Sequence, residues 1–134
     1  MQIHSFSDLL LAAQQQAQPQ RLLFVFTSAV LPGDATPAQR SRFQAGQGGA
    51  LEPRMCVDKC PNEVVDFASL RAEAAQLGQS WQVMFAASLA GSQGQSPSSA
   101  QAQQHLLQMI ESIKQGRLQQ YLAFDLHGEL LSLE

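Results

Sequence analysis

The run EPRMCVDKCPNE, residues 52–63, holds both cysteines of the chain, with Asp58 and Lys59 between Cys56 and Cys60. Two thiols, a carboxylate and an ammonium this close together could serve redox chemistry, metal ligation or the entrance to a helix. A thiol at a helix amino terminus feels the positive end of the helix dipole, and Lys59 and Arg54 would further favour its thiolate. Cys60 would then be the reactive thiol and Cys56 its resolving partner. The spacing, however, is C-x-x-x-C, not the C-x-x-C of thioredoxin-type redox proteins, and the run follows a helix and a loop where that motif follows a strand. Two cysteines with His4, His105 and His127 far apart give no ligand spacing, so neither a metal nor a cofactor is expected.

Comparison within the chain points to a helix entrance. Thr36-Pro37-Ala38-Gln39 and Ser98-Ser99-Ala100-Gln101 are capping boxes, and Cys60-Pro61-Asn62-Glu63 has the same form with a thiol at the cap. Sulfur is a poor acceptor, so Cys60 reads as a substitute cap, with Asp58 as the alternative.

A second candidate is GSQGQSPSS, between a strand and a helix, where an open α/β sheet offers backbone amides to an anion. Gly91, Ser92, Gly94 and Ser98 are its candidate ligands for a phosphate or nucleotide. No lysine follows as in a Walker motif, G-x-G-x-x-G is not matched, and a flexible connection accounts for the same residues. Half of the eight basic residues, Arg40, Arg42, Arg54 and Lys59, fall near the middle of the chain. They suit a small anionic ligand or an acidic protein partner, or a solvated patch. No Ser-His-Asp spacing stands out. Asp125 and Glu129 flank a turn at His127 without forming an acid/base pair.

These residues must be positioned by elements that the periodicity announces. A helix is predicted over 7–16, with Phe6, Leu9, Leu10 and Ala13 on one face. RLLFVFTSAV suits a strand covered on both sides. A turn at Pro32 and Gly33 leads to a helix over 36–44, ended by Gly46, Gly48 and Gly49. A longer helix is predicted over 61–77, with a stripe of Val64, Phe67, Ala68, Ala72 and Ala75. SWQVMFAASLA is a second buried strand. A helix over 100–115 turns Ala102, Leu106, Met109, Ile110 and Ile113 to the core, and a hairpin closes at His127 and Gly128. The order predicts a single α/β domain over residues 1–134. It is a layered sandwich of about four strands in a mixed sheet, with flanking helices and a C-terminal β-hairpin, and a thioredoxin-like arrangement is a permitted variant.

At 134 residues, 45% of them hydrophobic and only 14% charged, the chain can bury one core without disulfides. A net charge of -3 and a pI near 5.5 exclude an electrostatic footprint for nucleic acid or an anionic membrane. The longest apolar runs are half a membrane span or less. The amino terminus has no basic region or small-residue cleavage site, so no secretory signal is expected and a cytoplasmic location with free thiols is.

GALEPRMCVDKCP, with LLFVF upstream and LAFDLHGE near the end, resembles a family of small proteobacterial proteins. They share M-C-V-D-K, L-L-F-V-F and G-x-x-W-x-x-x-F, matched here by Gly78, Trp81 and Phe85, and the resemblance runs the whole length. Relatives have D-K-T-P where this chain has Asp58-Lys59-Cys60-Pro61, which implies a cap in place of an obligatory dithiol. The family carries the label ribonucleotide reductase subunit alpha. A reductase catalytic subunit looks like a large barrel with a thiyl-radical cysteine and a separate reducing pair, which 134 residues do not house. The resemblance therefore implies a bacterial protein, with the reductase as a partner at most.

The expectation is a non-catalytic binding or accessory protein, acting through protein contacts or a small ligand around residues 54–59, and a homodimer through the hairpin edge. The alternatives are a thiol-dependent redox protein using Cys60 and Cys56, and a phosphate or nucleotide binder at residues 91–99.

Overall fold

The computed structural model describes residues 3–30, 34–44 and 50–131. The turn expected at Pro32 and Gly33, and the glycines Gly46, Gly48 and Gly49, lie outside these residues. Strand β1 (Gln20–Val30) is the spine of the sheet. Its apolar run alternates between two cores: Leu22, Phe24 and Phe26 face one, Leu23 and Val25 the other. A continuous hydrophobic run is what a strand covered on both faces requires.

Helix α1 (Phe6–Gln14) packs on the first face through Phe6, Leu9, Leu10 and Ala13, the residues its periodicity indicated. Ser5 caps it by accepting from the Asp8 N–H. The Phe6 ring is the centre of this core, with centroids 5.8, 5.4 and 5.7 Å from Phe24, Phe67 and Phe124. Helix α2 (Pro37–Gln44) opens with the expected box, Thr36 N–H to Gln39 Oε1 at 2.8 Å and Gln39 N–H to Thr36 Oγ1 at 3.2 Å. On the other face lies helix α4 (Ser99–Lys114), which buries Ala102, Leu106, Met109 and Ile113 of its predicted face and half-buries Ile110.

Two expectations are corrected. The sheet is not mixed with about four strands: five strands among the described residues run in the order β2-β1-β3-β4-β5, and every neighbouring pair is antiparallel. Besides β1 they are β2 (Ala50–Lys59), β3 (Val83–Ala90), β4 (Leu122–Phe124) and β5 (Leu130–Leu131). A helix between two strands forces a crossover only when the strands are parallel, so helix-bearing connections leave direction open. No described strand pair is parallel, as a thioredoxin-like arrangement would need. The hairpin is present as β4 and β5.

Second, residues 52–60 are not the entrance to a long helix. Residues 52–59 belong to β2, and the segment predicted as one helix over 61–77 splits in two. Pro61–Glu63 form a single 3-10 turn, and the chain is extended again at Val64, where ψ is 111°. Helix α3 (Phe67–Ala75) then starts afresh at Asp66, whose carboxylate accepts from the Ser69 N–H at 2.8 Å. Its buried face is Leu70 and Ala74, while Ala68, Ala72 and Ala75 are exposed.

Candidate functional site

Strand β2 is one edge of the sheet, and it carries most of the chemistry in the chain. Its exposure alternates: Leu51, Pro53, Met55 and Val57 are half-buried, and Glu52, Arg54 and Cys56 are exposed. Residues 55–59 pair in regular register with residues 26–22 of β1. The register then shifts, Phe26 facing Met55 but Thr27 facing Pro53, so Arg54 is the extra residue of a bulge. That slip puts Leu51 against the α4 core and Met55 and Val57 against the α1 core.

The charges on β2 are nearly all engaged within the chain. Asp58 accepts from Arg21 Nε at 2.5 Å, and the same guanidinium donates to Pro97 O and Ser99 Oγ at 3.3 Å each. Lys59 Nζ reaches Glu73 Oε1 of α3 at 2.8 Å. Among the described residues Arg54 has only a loose contact, 3.6 Å, with Glu52. Arg40 and Arg42, expected to join the same basic patch, lie on α2.

The thiols do not form a pair. Both are free, and four residues of extended chain separate them by about 13 Å at 3.3 Å per residue, beyond the roughly 7 Å a disulfide spans. Although Cys56 is exposed at the surface, desolvation by the chain packed around it, and then the charge of Asp58, push its thiol above the ordinary pKa. A thiol shifted upward is less nucleophilic at neutral pH. Cys60 precedes the 3-10 turn; its N–H donates to Glu63 Oε1 at 2.8 Å, and its sulfur lies 3.9 Å from Ser96 Oγ. Because it opens only a three-residue turn, Cys60 does not stand at an α-helix terminus, and the dipole invoked for its activation is missing. Asp66 caps the helix proper.

The second candidate loop is a closed turn. Ser92 and Gln95 exchange backbone hydrogen bonds at 3.0 and 2.9 Å, with Gln93 and Gly94 at φ of 52° and 76° between them. The Gly91 N–H donates to Pro19 O at 2.8 Å, Gly94 N–H to Gln18 Oε1 at 2.9 Å and Ser98 N–H to Gln101 Oε1 at 2.9 Å. The amides of Gly91, Ser92, Gly94 and Ser98 therefore all have partners in the chain. Gly91 is there for space, since a Cβ on it would lie 1.9 Å from Gln95 O.

The two candidate regions, far apart in sequence, meet in space. Arg21 ties the carboxyl end of β2 to the entrance of α4, and Cys60 touches Ser96 of the connecting loop. Sequence reasoning passed over Arg21. Its signal was available: a lone cation opening a buried apolar strand needs an anion nearby. Between the 3-10 turn, the end of α1 and this loop lies an open cleft of about 370 Å³, lined by Gln16, Gln18, Gln20, Cys60 and Asn62 among others. A smaller, partly open pocket of about 30 Å³ lies between Met55, Cys56 and Val57 of β2 and Leu70, Ala74 and Leu77. Among the described residues no three His, Cys, Asp or Glu side chains stand close enough to hold a metal ion. No family model, curated protein or solved structure matches the chain.

Proposed function

We propose that the protein is a non-catalytic binding protein whose working surface is the outer rim of β2, where an extended segment of a protein partner adds to the sheet. The observation that carries this is the position of β2: ten residues long, it is hydrogen-bonded to a strand on one side only among the described residues. An edge strand presents a row of free N–H and C=O groups, and strand addition uses them for affinity and alternate side chains for specificity. The opposite edge is a poorer candidate, because β5 has two residues and Ser5 bridges Glu129 beside it. The homodimer expected through the hairpin therefore has its better surface at β2. The run MCVDK, which carries the resemblance to the small proteobacterial proteins, is the regular part of this strand.

On the same view the chain is one domain of a bacterial, cytoplasmic protein, a reducing setting that keeps both thiols free. No helix of the described residues is long and apolar enough to cross a membrane. Redox use of Cys56 with Cys60 has their separation against it, and an anion at residues 91–99 would compete with the chain's own acceptors.

Amide NMR spectra test the choice. Titration with short β-branched peptides should shift residues 55–59 and leave residues 91–99 unchanged. Shifts confined to residues 91–99 on adding phosphate or a nucleotide would overturn the proposal in favour of anion binding.

A further inference from the structure

Charge pattern singles out one way for β2 to pair with itself, and we infer that its partner is the β2 of a second copy, antiparallel, about a twofold axis at Cys56. This pairing rests on β2 being the binding edge and specifies what binds there. A twofold axis normal to the sheet keeps each face on its own side, so the available registers are those centred on a single residue. Centring on Glu52, Arg54, Asp58 or Lys59 sets a charge against its own copy. Centring on Met55 sets Glu52 against Asp58, and centring on Val57 sets Cys56 against Asp58 and Met55 against Lys59, with no opposite-charge pair.

Centring on Pro53 would match Glu52 with Arg54, but it puts proline, which has no N–H to donate, at the centre of the ladder. Centring on Cys56 is different. It sets Arg54 opposite Asp58 twice and Met55 opposite Val57 twice, and it lies almost wholly in the regular half of β2. Opposite charges and apolar pairs directly across an antiparallel ladder stabilise it, and like charges do the reverse. Arg54 is suited to the role, being exposed and held among the described residues only by the 3.6 Å contact with Glu52. Asp58, shared with Arg21, would gain a second cation. The same geometry brings the two Cys56 side chains face to face, close to the Cβ separation a disulfide needs.

The test uses the full chain carrying Cys60→Ser, so that one thiol remains. Sedimentation velocity should show a concentration-dependent dimer. Two equivalents of copper(II) phenanthroline, each taking one electron as the two thiols release two protons, should join the copies at Cys56. Arg54→Asp should weaken the dimer by at least about tenfold and abolish the cross-link, with the circular dichroism spectrum unchanged. A dimer that does not cross-link at Cys56, or one that Arg54→Asp leaves intact, would overturn the pairing. So would a monomer at every concentration. Hydrogen exchange at residues 55–59 in that monomer separates the two ideas: fast exchange removes only the second copy, and slow exchange removes the open edge as well.

Discussion

Replacing Arg21 with methionine should cost the fold about 2 kcal/mol. Its guanidinium touches β2, the loop before α4 and α4 itself, through Asp58, Pro97 O and Ser99 Oγ. The side chains of Arg21 and Asp58 are 18% and 16% exposed, so the pair lies between the surface and buried cases. Exposed pairs are worth about 0.2–1 kcal/mol, and breaking a fully buried one costs about 3–5. Methionine keeps the aliphatic packing of the arginine stem, so what is lost is the charge-assisted bond, together with two long contacts of 3.3 Å that add little. For a domain of this size 2 kcal/mol corresponds to a fall in Tm of roughly 6–10 °C. Urea unfolding of Arg21→Met, Asp58→Asn and the double variant would give the coupling directly, expected at about 1 kcal/mol because each single change strands its partner. A coupling below about 0.3 kcal/mol, or an Arg21→Met protein as stable as the parent, would show that the Arg21–Asp58 pair contributes nothing measurable to holding the end of β2 on β1.

Other consequences are as specific. Mild oxidation of the native monomer should leave Cys56 and Cys60 of one chain unbridged, and iodoacetamide should alkylate Cys56 more slowly than a free thiol at pH 8; peptide mapping reads both. Gly91→Ala should destabilise by more than about 2 kcal/mol in thermal melts, because the new Cβ meets the backbone of Gln95, which has no rotamer to escape into. Stability should fall on acidification. The Cys60 N–H lowers the pKa of Glu63, and the Ser69 N–H lowers that of Asp66, below ordinary values of 4.5 and 3.8. A carboxylate with a depressed folded pKa contributes fully above its unfolded pKa and loses that contribution as pH falls through the folded value. Urea midpoints should therefore hold from neutrality to about pH 5 and drop below about pH 4.5. A rise in midpoint over that range would contradict the two caps.

Much of the scaffold was legible because single-element signals are local. The continuous run of β1, the 3.6 period of α1 and α4, and the boxes at Thr36 and Ser98 each produced what their chemistry requires. β2 was missed although its period of two is present in Leu51, Pro53, Met55 and Val57 against Glu52, Arg54 and Cys56. Pro53, the bulge at Arg54 and the charges of the rim are devices that protect an edge strand, and they are also the marks of a loop. The capping comparison misled in the same place. CPNE has the form of a helix start, and the Glu63 half of its box is made, but Val64 returns to an extended conformation and the turn ends. Strand direction was not legible, because helices lie in all three long connections of a sheet whose described strand pairs are all antiparallel. The meeting of Arg21 with Asp58 follows from register alone, which no local pattern encodes.

Hydrogen exchange across the sheet, measured by mass spectrometry at a dilution where the protein is monomeric, bears most directly on β2 as an open binding edge. The amides of residues 55–59 that point away from β1 should exchange as fast as loop amides, while residues 22–26 of β1, held between two strands, stay protected. Uniform protection of residues 55–59 at the level of β1 in that monomer would mean that the chain itself closes the edge and that β2 has nothing left to bind with.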